Sequence, residues 1–263
     1  MQFSANLGFL WADRSLPDAI ISAKAAGFDA VECHWPYEYP AHEVKAALTE
    51  TGLPMLGLNT VRGNVAQGEN GLAALPGREA EAQAAIDQAL EYASEIGAQN
   101  VHVMAGFSQG AKAENCFALA LDYACRQAAE LGKGILIEPL NKYDAPGYFL
   151  STTDQAAAMI SRVDHSNLKL MFDCYHVQLM EGDITNRIKN LLPIIGHIQF
   201  ARVPDRGPPL GGELNYAHVF GVLNDLGWSA PLGAEYKSPL PTDETLNWMQ
   251  DLKTGPDQAA SQT

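Results

Sequence analysis

Short apolar runs alternate with longer amphipathic stretches along nearly the whole chain. The apolar runs predict strands over residues 3–10, 30–35, 54–60, 100–105, 135–138, 168–173, 196–201 and 231–236. Between them, helical periodicity covers 15–26, 40–51, 79–96, 114–131, a segment opened by Ser151-Thr152-Thr153-Asp154, 185–192, 216–226 and 243–252. The helix over 79–96 is the clearest. Ile86, Leu90, Ala93 and Ile96 share one stripe, acidic residues crowd its first turn, and Gly97 stands where a C-terminal cap belongs.

Strict alternation of strand and helix implies parallel strands joined by crossover helices. Eight such units close most simply into a (β/α)8 TIM barrel, a fold of roughly 250 residues, and the chain has 263. An open doubly wound sheet is the alternative, but no G-x-G-x-x-G follows the first strand. We therefore expect one barrel domain over 1–253 and a disordered polar tail over 254–263. A formal net charge of −14 argues against a nucleic-acid or anionic-membrane partner. No run approaches the ~18 apolar residues of a membrane span, and the N-terminus lacks the pattern of a signal peptide. Cys33, Cys116, Cys125 and Cys174 show no metal-like spacing and read as free thiols, which suits a reducing cytoplasm. A cytoplasmic homo-oligomer is the expectation.

The chemistry gathers at strand ends. The run Ile135-Leu136-Ile137 ends on Glu138, and Pro139 stops the ladder at once. An ionised carboxylate at the end of a buried strand is costly unless a cation or donor meets it. The next three strands present Asp173, Gln199 and Glu235, at intervals of 35, 26 and 36 residues, about one βα unit each. In a barrel these ends face one cavity. Four oxygen donors from four adjacent strands can surround a single hard cation, Mg²⁺ or Mn²⁺. Such an ion polarises a carbonyl and stabilises the enediolate formed when a neighbouring C–H loses its proton. Glu138 and Glu235 flank the cavity and can act as both ligand and proton carrier.

His176, three residues after Asp173, is a candidate substrate contact, and polar Asn141 in the loop after Glu138 is grouped with it. Arg206 and Lys237 are candidate clamps for a substrate carboxylate. His102 and His197 read as packed core histidines. His34 and Trp35 read as cavity wall or rim packing. Arg62 and the Gly-rich loop 62–77 are a candidate lid.

Several linked motifs resemble the hydroxypyruvate isomerase family of xylose-isomerase-like TIM barrels. They are Phe-Ser-Ala-Asn at 3–6, Gly68-Glu69 through Glu79, Ile137-Glu138-Pro139-Leu140-Asn141, Asp173-Cys174-Tyr175-His176 with Met180-Glu181-Gly182, Gly196-His197-Ile198-Gln199, Gly212-Glu213-Leu214-Asn215-Tyr216 and Glu235-Tyr236-Lys237. The resemblance covers nearly the whole chain. It implies interconversion of hydroxypyruvate and tartronate semialdehyde, or of a 2-oxo-tetronate and its 3-oxo isomer. It further implies Glu138 and Glu235 as proton donor and acceptor, with Glu138, Asp173, Gln199 and Glu235 as ligands of a divalent metal. The related ketose 3-epimerases usually carry histidine where this chain has Gln199, and Glu where it has the shorter Asp144.

Three other functions compete. A ketose 3-epimerase differs only in which carbon is deprotonated. An endonuclease IV-like phosphodiesterase shares the barrel but needs several zinc-binding histidines and a basic face for DNA. A non-catalytic sugar-acid binding protein would not need two placed glutamates.

Overall fold

The apolar runs form eight short strands: β1 (Phe3–Asn6), β2 (Ala30–Glu32), β3 (Gly57–Asn59), β4 (Asn100–His102), β5 (Gly134–Ile137), β6 (Leu168–Asp173), β7 (Ile195–Phe200) and β8 (Leu232–Ala234). In this computed structural model, which describes residues 1–253, all eight run parallel in the order β2-β1-β8-β7-β6-β5-β4-β3. The ends of that order meet. Val31 bridges Met55, the Cys33 amide donates to the Gly57 carbonyl at 3.1 Å, and the Asn59 amide donates to the His34 carbonyl at 2.8 Å. The result is the expected (β/α)8 barrel. The expected tail, 254–263, lies outside the described residues.

The crossovers are helical: α1 (Leu16–Ala25), α2 (Ala41–Thr51), α3 (Glu79–Ile96), α4 (Gly110–Glu130), α5 (Thr153–Val163), α6 (Cys174–Met180), α7 (Ile184–Leu191), α8 (Tyr216–Asp225) and α9 (Trp248–Lys253). The α3 helix matches its expected bounds, and Gly97 caps it at φ 76°, a left-handed conformation that costs glycine little. No helix among the described residues is long and apolar enough to cross a membrane.

Three differences from the sequence reading have physical causes. The β1 ladder ends at Asn6, where the Leu10 amide closes a turn onto the Asn6 carbonyl at 2.9 Å. Leu7, Leu10 and Trp11 stay buried beyond it, so the apolar pattern outlasts the strand. The α6 helix starts directly after β6 because Asp173 is also a cap, its side chain accepting from the Tyr175 amide at 2.8 Å. The last expected helix splits into a 3₁₀ turn at Thr242–Glu244 and α9. Trp248 of α9 is fully buried, with its ring centroid 5.0 Å from Phe3 and 5.4 Å from Phe200. Together with Phe220 of α8, this aromatic layer covers the β1–β8–β7 seam from outside.

Candidate active site

The four expected donors stand at the C-terminal end of neighbouring strands. Glu138 follows β5 directly, Asp173 ends β6, and Gln199 of β7 pairs in register with both Asp173 and Gly233. Glu235 follows β8, where its amide donates to the Phe200 carbonyl at 3.1 Å. All four side chains are buried. Above them opens a mouth of about 970 Å³, including open solvent, lined in part by Glu138, His176, Arg206, Glu235 and Lys237. A deeper space below is lined by Glu32, His102, His197 and Gln199, and it shares Glu138 and Glu235 with the mouth.

Glu138, Asp173 and His176 bring one potential ligand atom each within 4.8 Å of one another, a grouping able to hold a metal ion. The hydrogen bonds of His176 decide its part. Its Nδ1 accepts from the Asn141 backbone amide at 3.0 Å and faces the Asn141 side-chain nitrogen at 2.7 Å. A backbone N–H only donates, so in the neutral ring the proton sits on Nε2. That N–H lies 3.5 Å from Asp173 Oδ2 and 3.8 Å from Glu138 Oε1. A protonated Nε2 is a donor and not a ligand. The remaining acceptors near the cavity are oxygens. Glu138 Oε1 and Gln199 Oε1 are buried with no hydrogen-bond partner among the described residues. Orphaned buried acceptors of this kind are what a bound cation satisfies.

Glu235 is held differently. Its carboxylate accepts from Arg206 Nη2 at 2.7 Å and Asn6 Nδ2 at 3.2 Å, and contacts His34 Nε2 at 2.8 Å. Arg206 also lies 3.5 Å from Asp173 and 3.6 Å from Asp144, with its guanidinium 5.0 Å from the rings of Phe9 and Tyr175. The Arg206 backbone is left-handed, with φ 55°. Few non-glycine residues adopt this conformation, and its strain is held by those contacts.

The two glutamates are pushed in opposite directions. Burial, then the nearby charges of Glu235 and Asp173, hold the Glu138 carboxyl well above the usual range. Burial would raise Glu235 too, but Arg206 and His34 outweigh it and keep that group ionised. Burial pushes Asp173 up to about 7 against the pull of Arg206. His102 is pushed down to about 3 by burial, and His176 is also held neutral, by burial and Arg206. A cluster whose carboxylates resist ionisation is one that a dication would relieve.

The other expected residues fall at different depths. Asn141 stands behind the cavity. Its amide nitrogen meets His176 and Asp144, and its oxygen accepts from the amides of Tyr143 and Asp144. Lys237 lines the mouth over Phe9 at 5.0 Å and makes no ion pair among the described residues. Arg62 stacks on Trp35 at 3.9 Å along the mouth's wall. The loop carrying Arg62 is tied down: Glu69 accepts from Arg78 Nη1 at 2.8 Å and from the Asn64 amide at 2.6 Å.

Several site residues escaped the sequence reading. Asn6 and Glu32 end β1 and β2 in mutual register, yet neither was singled out. His34, expected as cavity wall or rim packing, faces the cavity, and its contact with Glu235 is the part the sequence did not show. His197, expected to be a packed core histidine, is buried but ion-paired with Glu32 at 2.6 Å. His102 lies 3.8 Å from Glu138 and lines both spaces. The signal available for Asn6 and Glu32 was their place at strand ends, with β1 beside β8 and β2 beside β1.

Known proteins resemble this chain in sequence and fold. Residues 20–252 match the xylose isomerase-like TIM barrel family. The chain is 42% identical to a 2-oxo-tetronate isomerase of Cupriavidus necator over 95% of this chain and 97% of that protein. It is 35% identical to a hydroxypyruvate isomerase of Escherichia coli over 96% of this chain and 100% of that protein. Among solved structures it superposes on a protein of Brucella melitensis described as an AP endonuclease, family 2, with TM-score 0.92 and 34% identity, covering 95% of this chain and 98% of that one. The chain therefore belongs to the hydroxypyruvate and 2-oxo-tetronate isomerase family of xylose isomerase-like TIM barrels.

Proposed function

We propose that this protein is an isomerase of a small 2-oxo hydroxy acid, moving a proton between adjacent carbons through an enediolate. The substrate is of the hydroxypyruvate or 2-oxo-tetronate type, the acids named in the relatives. One observation carries the reading: Glu138 and Glu235, two buried carboxyls from different strands, line one cavity. Paired carboxyls facing one substrate space can serve as acid and base. Glu235, ionised by Arg206 and His34, takes the proton from the hydroxyl-bearing carbon. Glu138 returns a proton to the neighbouring carbonyl carbon, the hydroxyl proton passes to the former carbonyl oxygen as the new carbonyl forms, and the reverse reaction exchanges the roles.

The donor set fits a divalent cation, Mg²⁺ or Mn²⁺, with Glu138, Asp173, Gln199 and Glu235 as the residues that would hold it. Hard oxygens and two orphaned buried acceptors support this assignment. When bound, the ion would polarise the substrate carbonyl and offset the charge of the enediolate. His176 offers its Nε2–H to a substrate oxygen, and Asn141 fixes the ring that carries it. Lys237 and Arg206 meet the substrate carboxylate at the mouth. The four thiols are free, in keeping with a cytoplasmic enzyme.

An endonuclease reading draws on the Brucella relative's description. A chain with net charge −14 is a poor ligand for DNA, and the candidate cluster offers one histidine rather than several. The direct test is proton NMR of hydroxypyruvate and of 2-oxo-tetronate incubated with the protein in D₂O, with and without EDTA. We expect conversion of at least one acid, with deuterium at the newly protonated carbon and suppression by EDTA. No conversion of either acid would refute the proposal. Exchange with inversion at a single carbon would point to an epimerase instead.

A further inference from the structure

Glu32 lies below the site, outside the expected ligand set, and is 4% exposed. Its carboxylate draws together two strands besides its own, β1 and β7. Oε1 accepts from Gln199 Nε2 at 2.8 Å and Asn6 Nδ2 at 3.0 Å, and Oε2 meets His197 Nε2 at 2.6 Å. The same Asn6 nitrogen reaches Glu235 at 3.2 Å. Asn6 cannot turn over, because its oxygen accepts from the Gly8 amide at 3.0 Å. One acceptor-only group thus receives the nitrogens of two amides, that of Gln199, a proposed ligand, and that of Asn6, which also reaches a proposed base.

The consequence for Gln199 is geometric. A glutamine amide can present either its oxygen or its nitrogen to a cavity. Glu32 has no proton to donate while it faces His197, so the Gln199 nitrogen must turn toward it. The Gln199 oxygen then points away, and it is the buried oxygen left without a partner. Gly233 of β8 makes room for this arrangement. A Cβ there would lie 2.8 Å from both Glu32 oxygens and 2.9 Å from Gln199 Cγ.

We propose that Glu32 is a positioning residue that fixes the amide of Gln199 oxygen-outward, making it a ligand, and steadies Glu235 through Asn6. This rests on the metal-assisted reading above. Outer hydrogen-bond partners of metal ligands typically carry about 10–100-fold in affinity, and the effect here should fall in that range. A glutamine at position 32 keeps the volume but brings its own N–H₂ donor, so Gln199 is free to turn its oxygen inward.

The experiment is Mn²⁺ titration of the full chain by electron paramagnetic resonance, for the wild type, Glu32→Gln, Gln199→Ala and the double variant, with thermal melts of each. We expect Glu32→Gln to weaken Mn²⁺ binding about 10–100-fold and to lose most of that effect in the Gln199→Ala background, where only the route through Asn6 to Glu235 remains. Glu32→Asp keeps an acceptor-only carboxylate but withdraws it from Gln199 by one methylene. It should weaken binding in the same way, which covers the case in which Glu32→Gln does not fold. Wild-type Mn²⁺ affinity in a folded Glu32→Gln or Glu32→Asp protein overturns the positioning role, and so does an equal loss in the Gln199→Ala background. If the wild type itself binds no Mn²⁺, the metal reading falls and this role falls with it.

Discussion

Glu235→Gln changes few atoms and removes one charge, and the surroundings of Glu235 set the size of the effect. The native carboxylate meets Arg206, His34 and Asn6 at 2.7, 2.8 and 3.2 Å. A glutamine oxygen can still accept from Arg206, but its nitrogen then faces Asn6, itself a donor. Breaking a buried ion pair costs about 3–5 kcal/mol when the remaining charge is left alone. Arg206 is not left alone, since Asp173 and Asp144 lie 3.5 and 3.6 Å away. We therefore expect a loss of about 2 kcal/mol, which in a chain of this size lowers Tm by about 4–6 °C. Removing the base should cost far more in rate, about 10²–10⁴-fold in kcat. Glu235→Asp keeps the charge but shortens the reach by one methylene, so it should recover most of the Tm and little of the rate. The assay pairs thermal melts with initial rates of isomerisation by NMR. A Glu235→Gln protein that melts as expected yet turns over within tenfold of wild type would refute the role of Glu235 as proton carrier.

Asp173 makes stability depend on pH with a definite sign. Its folded carboxyl is raised from 3.8 to about 7, chiefly by burial. Between those values the unfolded chain releases the proton that the folded chain keeps, so metal-free stability falls as pH rises across that window. Glu138 acts in the same sense, whereas Glu32 and Glu235 are held low and act only below their ordinary 4.5. His102 and His176 are held below their ordinary 6.5 and act in the opposite sense, so the test is a difference. Relative to wild type, EDTA-treated Asp173→Asn should gain Tm as pH rises from 4 to 7, and saturating Mg²⁺ should raise wild-type Tm most at the upper end of that range. Lys237→Met deletes an unpaired cation at the mouth. It should raise KM about tenfold or more for the acid substrate, the worth of one charged hydrogen bond, with kcat changed much less.

The barrel and the four late strand ends were legible because each strand is a short apolar run closed by a polar residue, repeated at the spacing of a βα unit. Glu138 was the plainest, marked by the proline that ends its ladder. Glu32 was obscured because it follows Ala30-Val31 inside a run that reads as strand through Trp35, whereas the ladder stops at Glu32 itself. His197 shares its parity with Gln199, and its apolar neighbours give no hint of an anion across the barrel. That partner appears only once closure brings β2 opposite β7. His176 was legible as a substrate contact, but the direction of its hydrogen bonds was not, since it depends on an amide proton from Asn141, 35 residues earlier. Local pattern reports which residues end strands. Closure and hydrogen-bond direction decide which of them ligate, donate or orient.

The most direct measurement of the central claim is an anomalous difference map from crystals of the protein soaked in Mn²⁺. The account predicts one strong peak at the C-terminal end of the barrel, about 2.1 Å from oxygens of Glu138, Asp173, Gln199 and Glu235. A peak ligated by His176 Nε2 in place of Gln199, or no peak among these residues, would contradict it.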